Sequence, residues 1–217
     1  MPRASRIVIP GIPHHIIQRG NRRQRVFFDD EDRRFYLGLL AKYGKKYGID
    51  YLAYCLMGNH VHLVAVPSHE ISLAKGIGDA HKAYTRVINE RQEWTGYLWQ
   101  GRFISFPMEE SYLYPAFRYV EMNPVRAKLV QRPEEYRWSS ARFHIFSEKD
   151  TLVSNSSFAD MIGDWAKFLS EVEKGSGSEI FREHISSGLP LGGDSFIKKL
   201  EAMTGLILKK RKRGPKE

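Results

Sequence analysis

DYLAYCLMGNHVHLVAV, residues 50–66, consists of two short apolar runs joined by Met57-Gly58-Asn59. Each run has strand length and carries aromatic or β-branched residues, and glycine with asparagine between them suits a tight turn. The stretch reads as a hairpin of strands over 50–56 and 60–66. Side chains alternate across a strand, so His60, His62, Val64 and Val66 share one face while Val61, Leu63 and Ala65 take the other. Both faces are largely apolar, which predicts a central strand covered on both sides. The two imidazoles then stand about 6–7 Å apart along the chain, close enough to reach one metal ion. A pair of hydrogen-bonded histidines at a strand end is the plainer alternative.

Outward from the hairpin, HHIIQR (14–19) follows Pro10, Gly11 and Pro13 and precedes Gly20-Asn21, the punctuation of a first strand. Residues 30–47 read as a helix, capped by Asp29 or Asp30 and closed by Gly48. Residues 72–91 read as a second helix, with Gly76 and Gly78 weakening its first turns. FISFP (103–107) is a short fourth strand. A third helix is expected over 110–122, stopping before Pro124 because proline disfavours helical geometry at Asn123. The order β-α-β-β-α-β-α is the ferredoxin-like split βαβ pattern, an α+β fold with an antiparallel sheet and one added helix. In Trp138-Ser139-Ser140 a packed indole and a helix cap are expected. Beyond residue 145, a helix is suggested from Phe158 to Val172, a linker at Gly175-Ser176-Gly177-Ser178, and short helices over 179–186 and 194–203. The expected division is 1–145 for the core domain, 146–208 for a helical extension and 209–217 for a basic tail.

The composition is that of a folded domain, 42% hydrophobic and 12% aromatic. No apolar run is long enough to span a membrane, and the opening residues lack a signal-peptide core, so a cytoplasmic protein is expected. The single cysteine, Cys55, excludes an internal disulfide framework. Of the net charge of +9, residues 1–28 and 209–217 together carry +11 and the middle carries −2. Basic ends around a nearly neutral middle point to a polyanion, and nucleic acid is the commonest one.

On the third helix, Tyr119 and Asn123 are four residues apart and share a face beside the stripe Leu113, Ala116, Phe117 and Val120. A tyrosine hydroxyl becomes a plausible nucleophile beside a divalent cation and a phosphodiester. Tyr112 is the rival on that face if the helix runs through Pro115.

GNHVH (58–62), LWQGRF (98–103), RYVEMNPVRA (118–127) and YRWSSA (136–141), in this order and spacing, resemble the REP-associated tyrosine transposases. These are single-tyrosine transposases with a histidine–bulky apolar–histidine motif. The opening RIVIPGIPHHIIQRGNRRQRVF (6–27) is similar too, and the likeness continues loosely through LPLGGDSFIKKLE (189–201) into the tail. The resemblance implies that His60 and His62 bind metal, with Asn123 as a third, amide ligand, and that Tyr119 is the catalytic tyrosine. It implies Mg²⁺ or Mn²⁺ as cofactor and single-stranded, hairpin-forming palindromic DNA as substrate. A 5′-phosphotyrosine would form and a free 3′-hydroxyl would be released. Residues 146–190 diverge from the family, so their part in hairpin recognition is open. Imidazole ligands alone do not fix the metal, and Cys55 near the pair allows a Cys-His-His zinc site on paper.

DNA contacts are expected from Gln18, Arg19, Asn21, Arg22 and Arg23 at the end of the first strand. Trp99 as a stacking ring and Arg102 beside it are added, with Arg118 and Arg126 flanking the tyrosine and Lys209, Lys210, Arg211, Lys212 and Arg213 in the tail. A nucleoid-associated monomer or homodimer is expected. A non-catalytic DNA-binding regulator on the same fold, or an RNA phosphodiesterase without a covalent step, would account for the charge equally well.

Overall fold

The computed structural model of the chain describes residues 6–154, 162–171 and 177–208. Strand β1 (His14–Arg19) leads into helix α1 (Asp30–Tyr47), then β2 (Ile49–Met57), β3 (His60–Pro67), α2 (Ser72–Arg91) and β4 (Ile104–Pro107). After β4 come α3 (Leu113–Glu121), α4 (Asn123–Arg126), α5 (Ala141–Phe146), α6 (Trp165–Ser170), α7 (Gly177–Ser187) and α8 (Asp194–Thr204). The four strands form one antiparallel sheet in the order β2-β3-β1-β4, the arrangement expected of a split βαβ unit. Among the described residues no helix is long and apolar enough to cross a membrane.

The alternation read in residues 60–66 divides the core. Val61, Leu63 and Ala65 pack with Ile16 under α1 and α2, while Val64 packs with Cys55 and Phe106 under α3. Helix α1 begins where Asp29 Oδ1 accepts the Asp32 amide at 2.8 Å and ends at Gly48 with φ 65°. Gly76 does not weaken α2; a side chain there would meet Ile49 Cδ1 at 2.4 Å, so the glycine permits close helix–sheet packing.

The expected third helix is split. Residues 110–112 form a 3-10 turn, α3 covers 113–121, and Asn123 starts a further helical turn rather than ending one. Pro124 falls at the start of that turn, where its missing N–H would have no helical partner anyway. Of the helix suggested over 158–172, the described part is α6; residues 155–161 and 172 lie outside the described residues. The linker expected at 175–178 is overturned at Gly177, where α7 begins, and Gly175 and Ser176 lie outside the described residues. Trp138 is packed, its Nε1 donating to Asp30 Oδ1 at 3.1 Å. Ser140 precedes α5 without capping it, because its hydroxyl is used elsewhere.

That use is a buried knot around Glu121. Its Oε1 accepts from Ser140 Oγ at 2.5 Å and pairs with His144 Nδ1 at 2.6 Å, and its Oε2 accepts from Trp165 Nε1 at 2.7 Å. His144 and Trp165 stack with centroids 4.0 Å apart, and Ser140 Oγ also accepts the Tyr54 amide at 3.0 Å. One carboxylate thus ties α3 to β2, α5 and α6. Removing it strands three buried polar groups, each worth about 1–3 kcal/mol. Glu121→Leu should therefore lose about 3 kcal/mol or more of unfolding free energy by chemical denaturation; a loss under about 1 kcal/mol would contradict the account.

Buried neutral histidines add a pH dependence. Burial pushes His14 down to about 4, partly opposed by hydrogen bonds to backbone carbonyls, and His81, whose Nε2 meets the Tyr36 hydroxyl at 2.8 Å, down to about 3. The unfolded chain binds these protons near pH 6.5 and the folded chain does not. Their stability contribution is thus complete above that pH and falls as pH drops toward the folded values. Each contributes a slope of about 1.4 kcal/mol per pH unit in that window. Unfolding free energy should fall between pH 7 and pH 5; an unchanged value would contradict neutral burial.

Candidate active site

The register of the two central strands places Arg19 opposite His60, Ile17 opposite His62 and His15 opposite Val64. These residues share the face covered by α3. The His60 and His62 rings lie 5.1 Å apart, so the paired projection read from the sequence is present. His60 Nδ1 faces Asn59 Oδ1 at 2.6 Å. An amide oxygen only accepts, which makes Nδ1 the protonated nitrogen and leaves Nε2 with the lone pair. His62 Nδ1 shares a 3.0 Å hydrogen bond with His15 Nε2, and the two rings stack at 5.3 Å. Burial and then Arg19 hold His60 down at about 4. Burial holds His15 at about 3 and, with His15, His60, Arg126 and Arg19 adding to it, His62 well below the ordinary histidine value. All three imidazoles are neutral at pH 7, the form that ligates metals.

Tyr119 stands over this group. Its ring lies edge-on to His62 at 5.5 Å and to His15 at 5.6 Å. Phe181 of α7 stacks on it at 4.9 Å, leaving Tyr119 only 7% exposed. The Arg126 guanidinium lies 4.6 Å from the ring centroid and also donates to the Tyr119 carbonyl. Arg182 of α7 lies near the tyrosine hydroxyl. Burial raises the Tyr119 pKa, and Arg126, Arg182 and Arg19 oppose the rise. The ring is thus buried, while the nearby cations favour the tyrosine anion and any phosphate beside it. The helix runs through Pro115 with Tyr112 in the 3-10 turn directly before it, and of the two tyrosines it is Tyr119 whose ring meets His62.

His60 and His62 could hold a divalent ion through nitrogens not engaged by Asn59 and His15. Asn123 Nδ2 donates to the Tyr119 carbonyl at 2.9 Å, which fixes the amide and makes Oδ1 the atom it could offer a metal. Among the described residues no group of three or more His, Cys, Asp or Glu is placed to hold a metal. Cys55 is opposite His62 in the sheet, but its thiol donates to Met57 Sδ at 3.6 Å and burial raises its pKa.

The other expected contacts divide. Arg22, Arg23 and Arg102 are exposed, Asn21 is half-buried beside them, and Arg19 adjoins the histidines. Gln18 is buried, and its amide donates to the carbonyls of Gly101 at 3.2 Å and Arg19 at 3.4 Å, which corrects its assignment to substrate. Trp99 is buried and stacks on His81 at 4.7 Å; it is a core residue, not a stacking platform. Arg118 points to α6, donating to the Phe168 carbonyl and pairing with Glu171 at 3.5 Å, so it is not offered to a substrate backbone. Residues 209–213 lie outside the described residues. His15, Phe181 and Arg182 were missed. His15 was within reach of the sequence, since β1 beside β3 puts alternate residues of HHIIQR on the histidine face. Arg182 was not, because nothing local announces that α7 packs on α3.

Among solved structures, the fold is similar to that of a REP-associated tyrosine transposase bound to a REP hairpin. The TM-score is 0.57 at 15% identity, over 81% of this chain and 98% of that one. A protein of Deinococcus radiodurans R1, described as a transposase, aligns at 19% identity over 60% of this chain and 94% of that one, with a TM-score of 0.39. No curated protein matches. The sequence model of the IS200-like transposases matches residues 9–123, from before β1 to the first residue of α4, and includes His60, His62, Tyr119 and Asn123. With more than half of its length matched, the chain belongs to the IS200-like transposase family.

Proposed function

We propose that this transposase-family chain is a metal-dependent single-stranded DNA endonuclease and strand transferase with Tyr119 as nucleophile. The observation that carries the reading is the Tyr119 ring 5.5 Å from His62, with the Arg126 guanidinium over its face and Arg19 and Arg182 near its hydroxyl. Tyr119 Oη attacks the phosphorus and loses its proton; the P–O3′ bond breaks and the leaving 3′-oxygen takes up a proton. The 5′-phosphate stays on the tyrosine. In the reverse sense a 3′-hydroxyl attacks this phosphotyrosine and rejoins a strand. Arg126, Arg182 and Arg19 stabilise the tyrosinate and the negative charge at phosphorus. His60, His62 and Asn123 Oδ1 would hold Mg²⁺ or Mn²⁺, which supplies positive charge to polarise the phosphate, undiminished because all three ligands are neutral.

The substrate we propose is a hairpin-forming palindrome; the structural relative is bound to a REP hairpin. Residues 1–145 would carry the chemistry, 146–208 would contribute to recognition, and the basic tail from Lys209 would bind phosphates. A non-catalytic DNA-binding regulator remains the second reading, favoured by Phe181 and Arg182 covering Tyr119. Incubation with hairpin-bearing single strands and Mn²⁺ decides between them. The wild type should form a protein–DNA adduct stable on denaturing gels. Tyr119→Phe should fold and form none, and His60→Ala or His62→Ala should cut at least roughly 100-fold more slowly. An adduct that survives Tyr119→Phe, or undiminished cleavage in excess chelator, contradicts the proposal.

The tail has its own signature. Phosphate contacts release counterions, with a slope of log affinity against log salt of about 0.7 per contact on single strands and 0.9 on duplex. Deleting residues 209–217 should flatten the slope by up to roughly 4 to 5 units. Identical slopes for the full chain and residues 1–208 would reject the anchor.

A further inference from the structure

We infer that the loop between α2 and β4 is a stacking platform for unpaired nucleotides, with Tyr97 as its ring. This rests on the reading of the site as one for single-stranded DNA. Tyr97 is 83% exposed and Trp94 41%, against 6% for Trp99, two residues further on. A lone exposed ring is unremarkable in itself. Two further features give this one a purpose.

The first is rigidity. The Trp94 amide donates to the Asn89 carbonyl at 2.8 Å, and Asn89 Nδ2 donates to the Gly96 carbonyl at 2.9 Å. Gly96 takes φ 91°, which turns the chain before Tyr97. The Trp94 ring braces edge-on against Phe28 at 5.7 Å, and Leu98 is buried. Tyr97 is therefore held out by a fixed backbone, its side chain open to a base.

The second is charge. The Leu98 carbonyl accepts from the Asn21 amide at 2.8 Å and from Gln24 Nε2 at 3.3 Å, so the platform is bonded to the loop bearing Arg22, Arg23 and Arg25. All three arginines are exposed, and Arg22 and Arg23 hold positive φ angles of 51° and 62°. Glu90 and Glu93 flank the platform at the end of α2, where Arg91 pairs with Asp29. An exposed ring beside a guanidinium cluster matches one ligand, a strand whose bases stack on the ring while its phosphates meet the arginines. Duplex does not fit, because its bases are already stacked.

The same loop reaches the candidate active site. Asn59 Nδ2 donates to the Arg23 carbonyl at 3.0 Å and the Asn59 carbonyl accepts from the Gly20 amide at 2.8 Å. Asn59 Oδ1 is the group that orients His60. A strand leaving His60 and His62 along the arginine loop arrives at Tyr97. The platform would hold the unpaired flank of a hairpin and tolerate any base, since every base has a stacking face.

The test is binding of the full-length protein to a hairpin with a single-stranded flank and to the same hairpin blunt-ended, read by fluorescence anisotropy without metal. Tyr97→Ala should weaken binding of the flanked hairpin roughly 5- to 150-fold and leave the blunt one unchanged. Tyr97→Phe should restore the wild-type value, and Tyr97→Ala should keep the salt slope while Arg22→Ala and Arg23→Ala each lower it by about 0.7. Equal affinity of Tyr97→Ala for the flanked hairpin, or an equal loss on both hairpins, overturns the platform. The measurement needs no cleavage. Absence of a covalent adduct in the wild type would therefore sink the nuclease reading while a selective loss on Tyr97→Ala still upheld the platform.

Discussion

The pairing of β1 with β3 fixes everything else at the site, because it sets Arg19 against His60, Ile17 against His62 and His15 against Val64. A slip of one residue would turn His15 toward α1 and α2 and separate it from His62. The register is held at the hairpin tip and in the middle of the strands. At the hairpin tip the Gly20 amide donates to the Asn59 carbonyl and the Val26 amide to the Gly58 carbonyl. In the middle, Ile16 and Leu63 are fully buried on one face and Val64 on the other, so a slipped strand would exchange apolar and polar faces. The turn that closes the hairpin thus also supplies Asn59, which sets the tautomer of His60.

The tyrosine is brought to that face by a different device. Helix α3 lies across β2 and β3, and its fixed point is Glu121, two residues past Tyr119. A fully buried carboxylate is tolerable only with its oxygens satisfied, and three donors satisfy them, two from α5 and the residue before it and one from α6. Helix α7 then seats Phe181 on the Tyr119 ring and brings Arg182 near its hydroxyl. The polar groups of the site are thereby enclosed in a low-dielectric setting, where the surrounding arginines act more strongly on an anion than they would in water.

Periodicity made much of this legible. The boundaries of β1, α1 and α2 follow from Asp29, Gly48 and alternating or helical apolar spacing, and the common face of His60 and His62 follows from the strand period alone. The place of Tyr119 beside Asn123 follows from helical spacing. What was not legible depends on partners distant in sequence. Gln18, Trp99 and Arg118 carry the chemistry of nucleic-acid contacts, yet carbonyls of Gly101 and Phe168 and the ring of His81 take them up. No local signal distinguishes a guanidinium aimed at a carbonyl from one aimed at solvent. The helical turn through Pro124 was misread because proline blocks continuation of a helix but not the start of a new turn.

The proposed covalent bond forms at one residue, and the sequence around α3 makes that bond easy to locate. Complete tryptic cleavage releases residues 119–126, in which Tyr119 is the sole tyrosine, separately from residues 103–118, which carry Tyr112 and Tyr114. Mass spectrometry of the adduct formed on a hairpin-bearing single strand, after nuclease trimming, should find the added 5′-nucleotide on the 119–126 peptide. Finding it on the 103–118 peptide, or on neither, would contradict the assignment of Tyr119 as the nucleophile.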